Sequence, residues 1–369
     1  MWLRKQMEER GQGRVFYILP FTASINAMYE RLDKELSKDE KKVGMLHGKL
    51  AQYLEYRMSE EDDVLSGEER KQLLEDFKSL QMPLKIVTPF QLLKHLFGLK
   101  SFEKGMFEWS GCYLIFDEIQ SCERALTSLK YFCEEAPEYH IIAAGSLLGV
   151  ALNREKYSFP VGKVDMLTLY PLDFEEFLWA TDNRKMCELI KECYEEFLPN
   201  PLHDTAMDLY KNYLVVGGMP RAVSEYMDTK DFDFVVAAQK SLNDAYIADM
   251  AKYSTPHETT KIMAAWASIP AQLAKENRKF QYKVIKSGAR AYEYETPLDW
   301  LRTAGIVNKC IRVREGKMPL PAYADNDSFK VYMVDTGLLC SKFEIAANIV
   351  LSSSPSFDGF KGALAENYV

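Results

Sequence analysis

Four short, almost wholly apolar runs, separated by stretches of helical periodicity, constrain the fold of this chain more than any other feature. The runs lie within the first 146 residues and read RVFYILP, LKIVTPF, GCYLIFDEI and YHIIAAGS. A strand that is apolar on both faces is typical of a parallel sheet covered by helices on each side. Because helical segments alternate with these runs, the sequence predicts an open α/β sheet.

The pattern changes after residue 170, where most segments have helical periodicity. Two strand-like segments, NKCIRVRE and FKVYMVD, follow the helices later in the chain. Helices followed by a small β-hairpin favour a winged-helix unit. The predicted domains are an α/β core over residues 1–170, a helical lid over 171–255, a winged-helix region over 256–340 and the start of a further domain over 341–369.

Composition narrows the class of protein. The chain has 369 residues, of which 47% are hydrophobic and 27% charged, as is ordinary for a globular protein. Its longest nearly apolar run, IIAAGSLLGVAL, has 12 residues and is too short to span a bilayer. Seven cysteines without a CxxC pair indicate free thiols, so we expect a cytoplasmic protein with no membrane partner. The net charge of −8 and five scattered histidines indicate neither a basic nucleic-acid surface nor a dedicated metal site.

The segment YLIFDEIQ carries the clearest chemistry. Hydrolysis of ATP uses a carboxylate at the carboxyl end of a buried strand to hold Mg²⁺ beside the phosphates, and a second group to activate water. Asp117 and Glu118 stand where a metal ligand and a general base are needed. Ser146 ends the next strand-like run, where a polar side chain suits sensing of the γ-phosphate. Alternatively, the two acids mark only a strand that reaches solvent.

A phosphate-binding loop should accompany this pair of acids. Backbone N–H groups of a GxxxxGK[ST] loop hold nucleotide phosphates at a helix amino terminus. No such motif occurs in the 369 residues. In ATPases of this class the loop precedes the strand that RVFYILP resembles, so we expect it upstream of Met1. The sequence thus predicts an incomplete P-loop NTPase core of the RecA or AAA kind, with ATP and Mg²⁺ as cofactors and impaired nucleotide binding.

Three ordered segments at the start of the chain resemble a known family: VFYILPFTASINAMYERL, GMLHGKL and IVTPFQLLKHLFGLKSFEKGMFEWSGCYLIFDEI. With them, residues 1–119 resemble the first motor domain of the CRISPR-associated helicase-nuclease of type I systems. The resemblance implies that Thr22 and Thr88 contact the phosphates of a single-stranded nucleic acid. Alternatively, Thr88 caps a helix that begins near Pro89. The catalytic box of that family usually ends in histidine, and Gln120 stands in its place here.

A second set of ordered segments resembles a different group: IFDEIQSCERALTSLKYF, IIAAGSLL, FPVGKVDMLTLYPLDFEEFL, YLVVGGMPRAV, VYMVDTGLL and GALAENYV. With them, residues 115–369 resemble prokaryotic AAA-type ATPases with an uncharacterised C-terminal domain. The resemblance implies that Gly145 and Ser146 end a sensor strand. It also implies that Lys163 supplies nucleotide with the positive charge for which the family commonly uses arginine. That family continues into a further domain, so we expect truncation at the carboxyl end as well.

The two resemblances overlap at LIFDEIQ, so the chain reads as a fusion. Together they imply an ATP-binding protein of the P-loop class, with homo-oligomer formation left open. One alternative is a helicase fragment of a CRISPR-type defence system that binds single-stranded nucleic acid. Another is a non-enzymatic interaction module, because the presumed recognition helix YETPLDWLRTAGI has only Arg302 as a basic residue.

Three further motifs have plain structural interpretations. YPLDFEEF predicts an amphipathic helix with Asp173 near its start. GGMP predicts a turn between helices, and Asp335 is a carboxylate at the end of a strand.

Overall fold

A computed structural model describes most of the chain, in two compact units, residues 1–166 and 167–369. Each unit is treated by itself below, and the division of the chain into four domains stays a prediction. The residues that the structure describes are 15–37, 42–50, 52–54, 82–88, 91, 113–137, 139–145, 162–252, 254–275, 279–344, 347–351 and 358–369.

The first unit contains a five-stranded sheet in which every neighbouring pair of strands is parallel. The strand order is β2-β3-β1-β4-β5. The predicted α/β sheet is therefore confirmed. The strands are β1 (Val15–Ile18), β2 (Val43–Leu46), β3 (Leu84–Val87), β4 (Tyr113–Phe116) and β5 (His140–Ala143).

Apolar burial holds this sheet together, as the continuous apolar runs predict. Phe16, Ile86 and Leu114, one from each of three adjacent strands, are almost completely buried. Each such side chain contributes about 1.5–3 kcal/mol relative to exposure. Strand β5 differs, because it lies at the sheet edge and Ile142 is 39% exposed.

The first unit contains the α-helices α1 (Thr22–Leu36) and α2 (Glu123–Glu135), with a short 3-10 helix (Ile119–Ser121) just before α2. Helix α1 spans the predicted segment TASINAMYERLDKEL and buries Ile25 and Tyr29 against the sheet. Strand β2 was not predicted as a strand, because four residues between turn-forming segments give little periodicity.

The second unit is mainly helical with one antiparallel hairpin, in which β6 pairs with β7. The order of helices followed by a hairpin agrees with the predicted order, while the winged-helix assignment stays a prediction. Its elements are α3 (Phe174–Ala180), α4 (Arg184–Glu195), α5 (His203–Val216), α6 (Pro220–Thr229), α7 (Phe232–Lys252), α8 (Pro256–Ala274), α9 (Tyr282–Ile285), α10 (Ala291–Thr303), β6 (Val307–Val313), β7 (Ala324–Met333), α11 (Thr336–Phe343), α12 (Ala347–Leu351) and α13 (Asp358–Tyr368).

Helix α3 has the capped, amphipathic character predicted for YPLDFEEF. The Asp173 side chain accepts the Glu176 N–H at 2.8 Å, and the Glu176 carboxylate accepts the Asp173 N–H at 3.1 Å. This reciprocal pair is a capping box. Of the three residues predicted to be buried on the inner face, Phe177 and Leu178 are buried and Phe174 is half-buried. The capped amphipathic helix is therefore confirmed.

A buried carboxylate, Asp335, joins the GGMP turn to helix α11. Its Oδ1 accepts the Leu338 N–H at 2.8 Å, and its Oδ2 accepts the Gly218 N–H at 2.6 Å, across 117 positions of sequence. Gly217 has a φ of +71°, and a Cβ there would lie 2.4 Å from Asp335 Oδ1. The predicted GGMP turn and the predicted strand-end carboxylate of Asp335 are thus in direct contact with each other. Burial raises the pKa of Asp335 to about 6, against the opposing effect of the backbone donors.

Asp335→Asn tests this contact. Asparagine has one acceptor oxygen, so a buried N–H loses its partner, and we expect a loss of about 1–3 kcal/mol of unfolding free energy. The folded pKa lies above the ordinary value of 3.8, so the folded state binds more protons between about 4 and 6. The contribution of Asp335 to stability therefore falls as pH rises through that window, and the fall should vanish in the variant.

Urea unfolding across this pH range measures both effects. Asp299→Asn, at a surface ion pair with Arg302, is the matched control and should change stability by less than about 0.5 kcal/mol. Equal stability of Asp335→Asn and the control would contradict the role given to Asp335.

Candidate functional site

The two acids predicted to carry the chemistry, Asp117 and Glu118, lie at the carboxyl edge of the parallel sheet. Asp117 directly follows β4, which lies between β1 and β5. Its Oδ2 accepts the Tyr17 hydroxyl at 3.2 Å and its Oδ1 accepts the Glu118 N–H at 3.0 Å. Burial, followed by the charge of Asp117, raises the pKa of Tyr17 to about 12, so this hydroxyl stays a donor at neutral pH. Two donors therefore fix the carboxylate of Asp117.

Glu118 has a left-handed backbone, with φ 52° and ψ 41°. A non-glycine residue in this region is uncommon and costs on the order of 1–3 kcal/mol, so it persists only where its surroundings hold it there. The next residue supplies such a restraint, because the Ile119 N–H donates to the Ala144 carbonyl at 3.1 Å, just past the end of β5. The conformation of Glu118 is thus tied to the neighbouring strand.

The side chain of Gln120 connects Glu118 to the end of β5. Gln120 is 5% exposed, and its Nε2 donates to Glu118 Oε2 at 2.8 Å. Its Oε1 is buried and has no hydrogen-bond partner among the described residues. A Cβ on Gly145 would lie 2.2 Å from this oxygen, so only glycine fits there without a shift of Gln120. The arrangement holds the Glu118 carboxylate on one side and requires glycine on the other.

The predicted nucleic-acid residues also follow strands of this sheet. Thr22 is the first residue of α1, after β1, and is half-buried. Thr88 follows β3, and its hydroxyl oxygen accepts the Gln91 N–H at 3.2 Å. That bond is the geometry of a helix cap and supports the alternative interpretation of Thr88. The contact of either threonine with nucleic acid stays a prediction.

Of the two residues predicted to contact nucleotide, Lys163 and Ser146, only Lys163 lies within the described residues. Lys163 forms an ion pair with Glu134 of α2, with 3.1 Å between Nζ and Oε1, and its side chain is 42% exposed. Ser146 lies outside the described residues. No sequence signal links Tyr17 to Asp117 or Gln120 to Gly145, because these contacts arise only when the strands are aligned.

The donor set at the carboxyl edge fits magnesium rather than a metal held by protein alone. No group of three or more His, Cys, Asp or Glu side chains suited to a metal occurs in the part of the chain that the structure describes. Mg²⁺ in nucleotide sites commonly uses one or two carboxylates, with waters and phosphates as its other ligands. The single fixed carboxylate of Asp117 agrees with that pattern.

Among the helices that the structure describes, none combines the length and apolar character needed to cross a bilayer.

Two segments of the chain match known domain families. Residues 69–178 match the family of AAA domains, and this segment includes Asp117, Glu118, Gln120 and Gly145. Residues 207–348 match a domain family of unknown function, DUF8612. Together with the parallel sheet, the AAA match supports a P-loop NTPase segment of the AAA kind. The helicase resemblance of residues 1–119 stays a prediction.

Similar chains also occur among solved structures. The Walker-type ATPase PABY2304 of Pyrococcus abyssi is 14% identical, with 92% of this chain and 94% of that chain covered and a TM-score of 0.41. No curated protein matches the chain significantly.

Gly145→Ala tests the link between β5 and Gln120. The added methyl group has to displace the Gln120 amide, so we expect a loss of about 1–3 kcal/mol of unfolding free energy. Gly48→Ala is the matched control in the same unit, because a Cβ there meets nothing within 4 Å. Gln120→Ala in the Gly145→Ala background removes the clash, so denaturant unfolding should show clear non-additivity. Additive losses would show that the two residues do not interact.

Proposed function

We propose that this chain has the function of a Mg²⁺-dependent ATPase of the P-loop class, with the reaction centred on Asp117 and Glu118. The observation that supports this most is the conformation of Glu118. A charged residue held in a left-handed backbone at the carboxyl end of a central parallel strand is typical of a functional position. A strand that only reaches solvent would not need a buried glutamine to hold its last carboxylate.

The residues divide the chemistry between them. Asp117 would hold Mg²⁺ through water, and bound Mg²⁺ would neutralise charge on the phosphates. Glu118 accepts a proton from the attacking water as general base. Gln120 fixes the carboxylate of Glu118, and Ser146 meets the terminal phosphate. Lys163 offers a positive charge, although its partner in the structure is Glu134.

We further propose that nucleotide affinity is low in this chain. Most of the affinity of P-loop proteins for phosphate comes from backbone N–H groups of the GxxxxGK[ST] loop and its lysine. The 369 residues contain no such motif. In this proposal Asp117 and Glu118 supply the hydrolytic groups, while the sequence contains no motif of the kind that binds the phosphates.

A calorimetric titration with Mg-ATP tests this combination. We expect a Kd of about 1 mM or weaker, equivalent to a binding free energy of about 4 kcal/mol or less. Phosphate release at high Mg-ATP should be lost in Glu118→Gln and kept in the control Glu344→Gln, on a helix end of the second unit. Tight, saturable binding would contradict the low affinity. Equal phosphate release by both variants would contradict the role of Glu118.

A second candidate concerns the second unit, which we propose to be an interaction module rather than a nucleic-acid reader. In a winged-helix arrangement α10 would be the recognition helix. Arg302 is the sole Lys or Arg in its sequence, and its guanidinium lies 3.4 Å from Asp299 of the same helix. Glu295 on the same helix is exposed. Phosphate binding needs unpaired positive charge, so this surface opposes contact with DNA.

Fluorescence anisotropy with labelled single-stranded DNA tests this candidate. At about 0.15 M salt we expect no saturable binding below about 100 μM, the weak end of non-specific affinity. Arg302→Ala should leave the signal unchanged. Saturable DNA binding whose affinity falls steeply with salt would instead favour the helicase alternative and the proposed contacts of Thr22 and Thr88.

A further inference from the structure

The connection between α4 and α5 exposes an apolar surface. Tyr194 is 81% exposed, Phe197 94%, Leu198 56% and Leu202 50%. These four side chains, called here the 194–202 surface, are close in sequence and all belong to the second unit. Scattered exposed apolar residues are normal, but several within one short stretch of sequence, two of them aromatic, are typical of an interaction site.

The backbone at Phe197 makes this exposure more unusual. Phe197 has a φ of +56° and follows the C-cap residue Glu196. The Leu198 N–H donates to the Cys193 carbonyl at 2.9 Å, which closes the end of α4. Glycine is the favoured residue at this left-handed position after a helix. Neither the local conformation nor burial therefore explains a phenylalanine here.

The segment that carries the 194–202 surface is acidic, and the lysines on either side of it, Lys191 and Lys211, are paired with Glu175 and Asp208. The segment 192–208 contains five Asp or Glu residues and no Lys or Arg. One of these acids, Asp208, pairs with Lys211 at 3.2 Å. The five acids, all exposed, are Glu192, Glu195, Glu196, Asp204 and Asp208.

The acidic residues beside this surface favour a basic partner over a second copy of the chain. A symmetric contact between two copies of the chain would place the same acidic segment against itself, and like charges across an interface are unfavourable. A segment with positive charge beside apolar side chains has no such penalty. Exposed aromatic residues are also the side chains that most often anchor protein interfaces.

We propose that the 194–202 surface is a docking site for a basic amphipathic segment of another protein. Phe197 and Tyr194 contact the apolar face of that segment, and the surrounding carboxylates attract its lysine or arginine side chains. The partner fits recognition of an amphipathic helix, in which apolar side chains on one helical face are the anchors. The proposal is independent of the ATPase site in the first unit.

A designed peptide replaces the unidentified partner in the test. The probe is a fluorescein-labelled amphipathic helix of leucine and lysine, about 18 residues long. A matched peptide with glutamate at every lysine position is the charge control. Anisotropy at about 0.15 M salt should show binding of the lysine peptide alone, and Phe197→Gly should weaken that binding at least about tenfold.

The substitution Phe197→Gly separates binding from folding. Because glycine is favoured at this exposed left-handed position, the midpoint of thermal unfolding should not fall. Tyr194→Ser should also weaken binding of the lysine peptide. Tyr292→Ala, which removes an aromatic ring that is 72% exposed on α10, should leave binding unchanged.

Three results would overturn the proposal. One is equal binding of the lysine peptide by the wild type and Phe197→Gly, which would show that charge alone holds the peptide. Another is equal binding of the lysine and glutamate peptides. The third is self-association in analytical ultracentrifugation that disappears in Phe197→Gly, because a second copy would then cover the surface.

Discussion

The parallel alignment of β1, β3, β4 and β5 is the constraint on which the candidate site depends. Parallel strands bring their carboxyl ends to one edge, so residues far apart in sequence become neighbours there. The Tyr17 hydroxyl reaches Asp117 in this way, across 100 positions of sequence. The same alignment places Gly145 against the side chain of Gln120. An antiparallel or slipped strand would separate these pairs while leaving each local sequence unchanged.

Local sequence patterns predict the elements but not the contacts between them. The segment TASINAMYERLDKEL has the periodicity and the bounds of α1, and the apolar runs predict four of the five strands of the first sheet. The left-handed backbone of Glu118 has no local signal, because glutamate rarely adopts it. The contact between Asp335 and Gly218 was likewise beyond prediction, since each residue has an ordinary interpretation as a strand end or a turn.

Non-glycine residues with a left-handed backbone show where the chain departs from the conformation that its local sequence favours. Five non-glycine residues of the described part have positive φ: Glu118, Asp182, Phe197, Lys230 and Glu344. Asp182, Lys230 and Glu344 are charged residues that follow helices, where a polar side chain stays in water. Glu118 and Phe197 differ from them. The first is held by a buried amide, and the second exposes an aromatic ring, so the conformation of each has a cost that the fold alone does not explain.

The contacts of Gln120 also limit how the proposed general base moves. Its amide nitrogen holds the Glu118 carboxylate, and the rest of the same amide fills the space beside Gly145. The backbone of Ile119 is bonded to Ala144, one residue earlier in the segment after β5. Because both links end at the same segment, a displacement of residues 144–145 changes the position of Glu118. A phosphate recognised at the end of β5 would therefore act on the proposed general base through two links, the Ile119–Ala144 backbone bond and the buried side chain of Gln120.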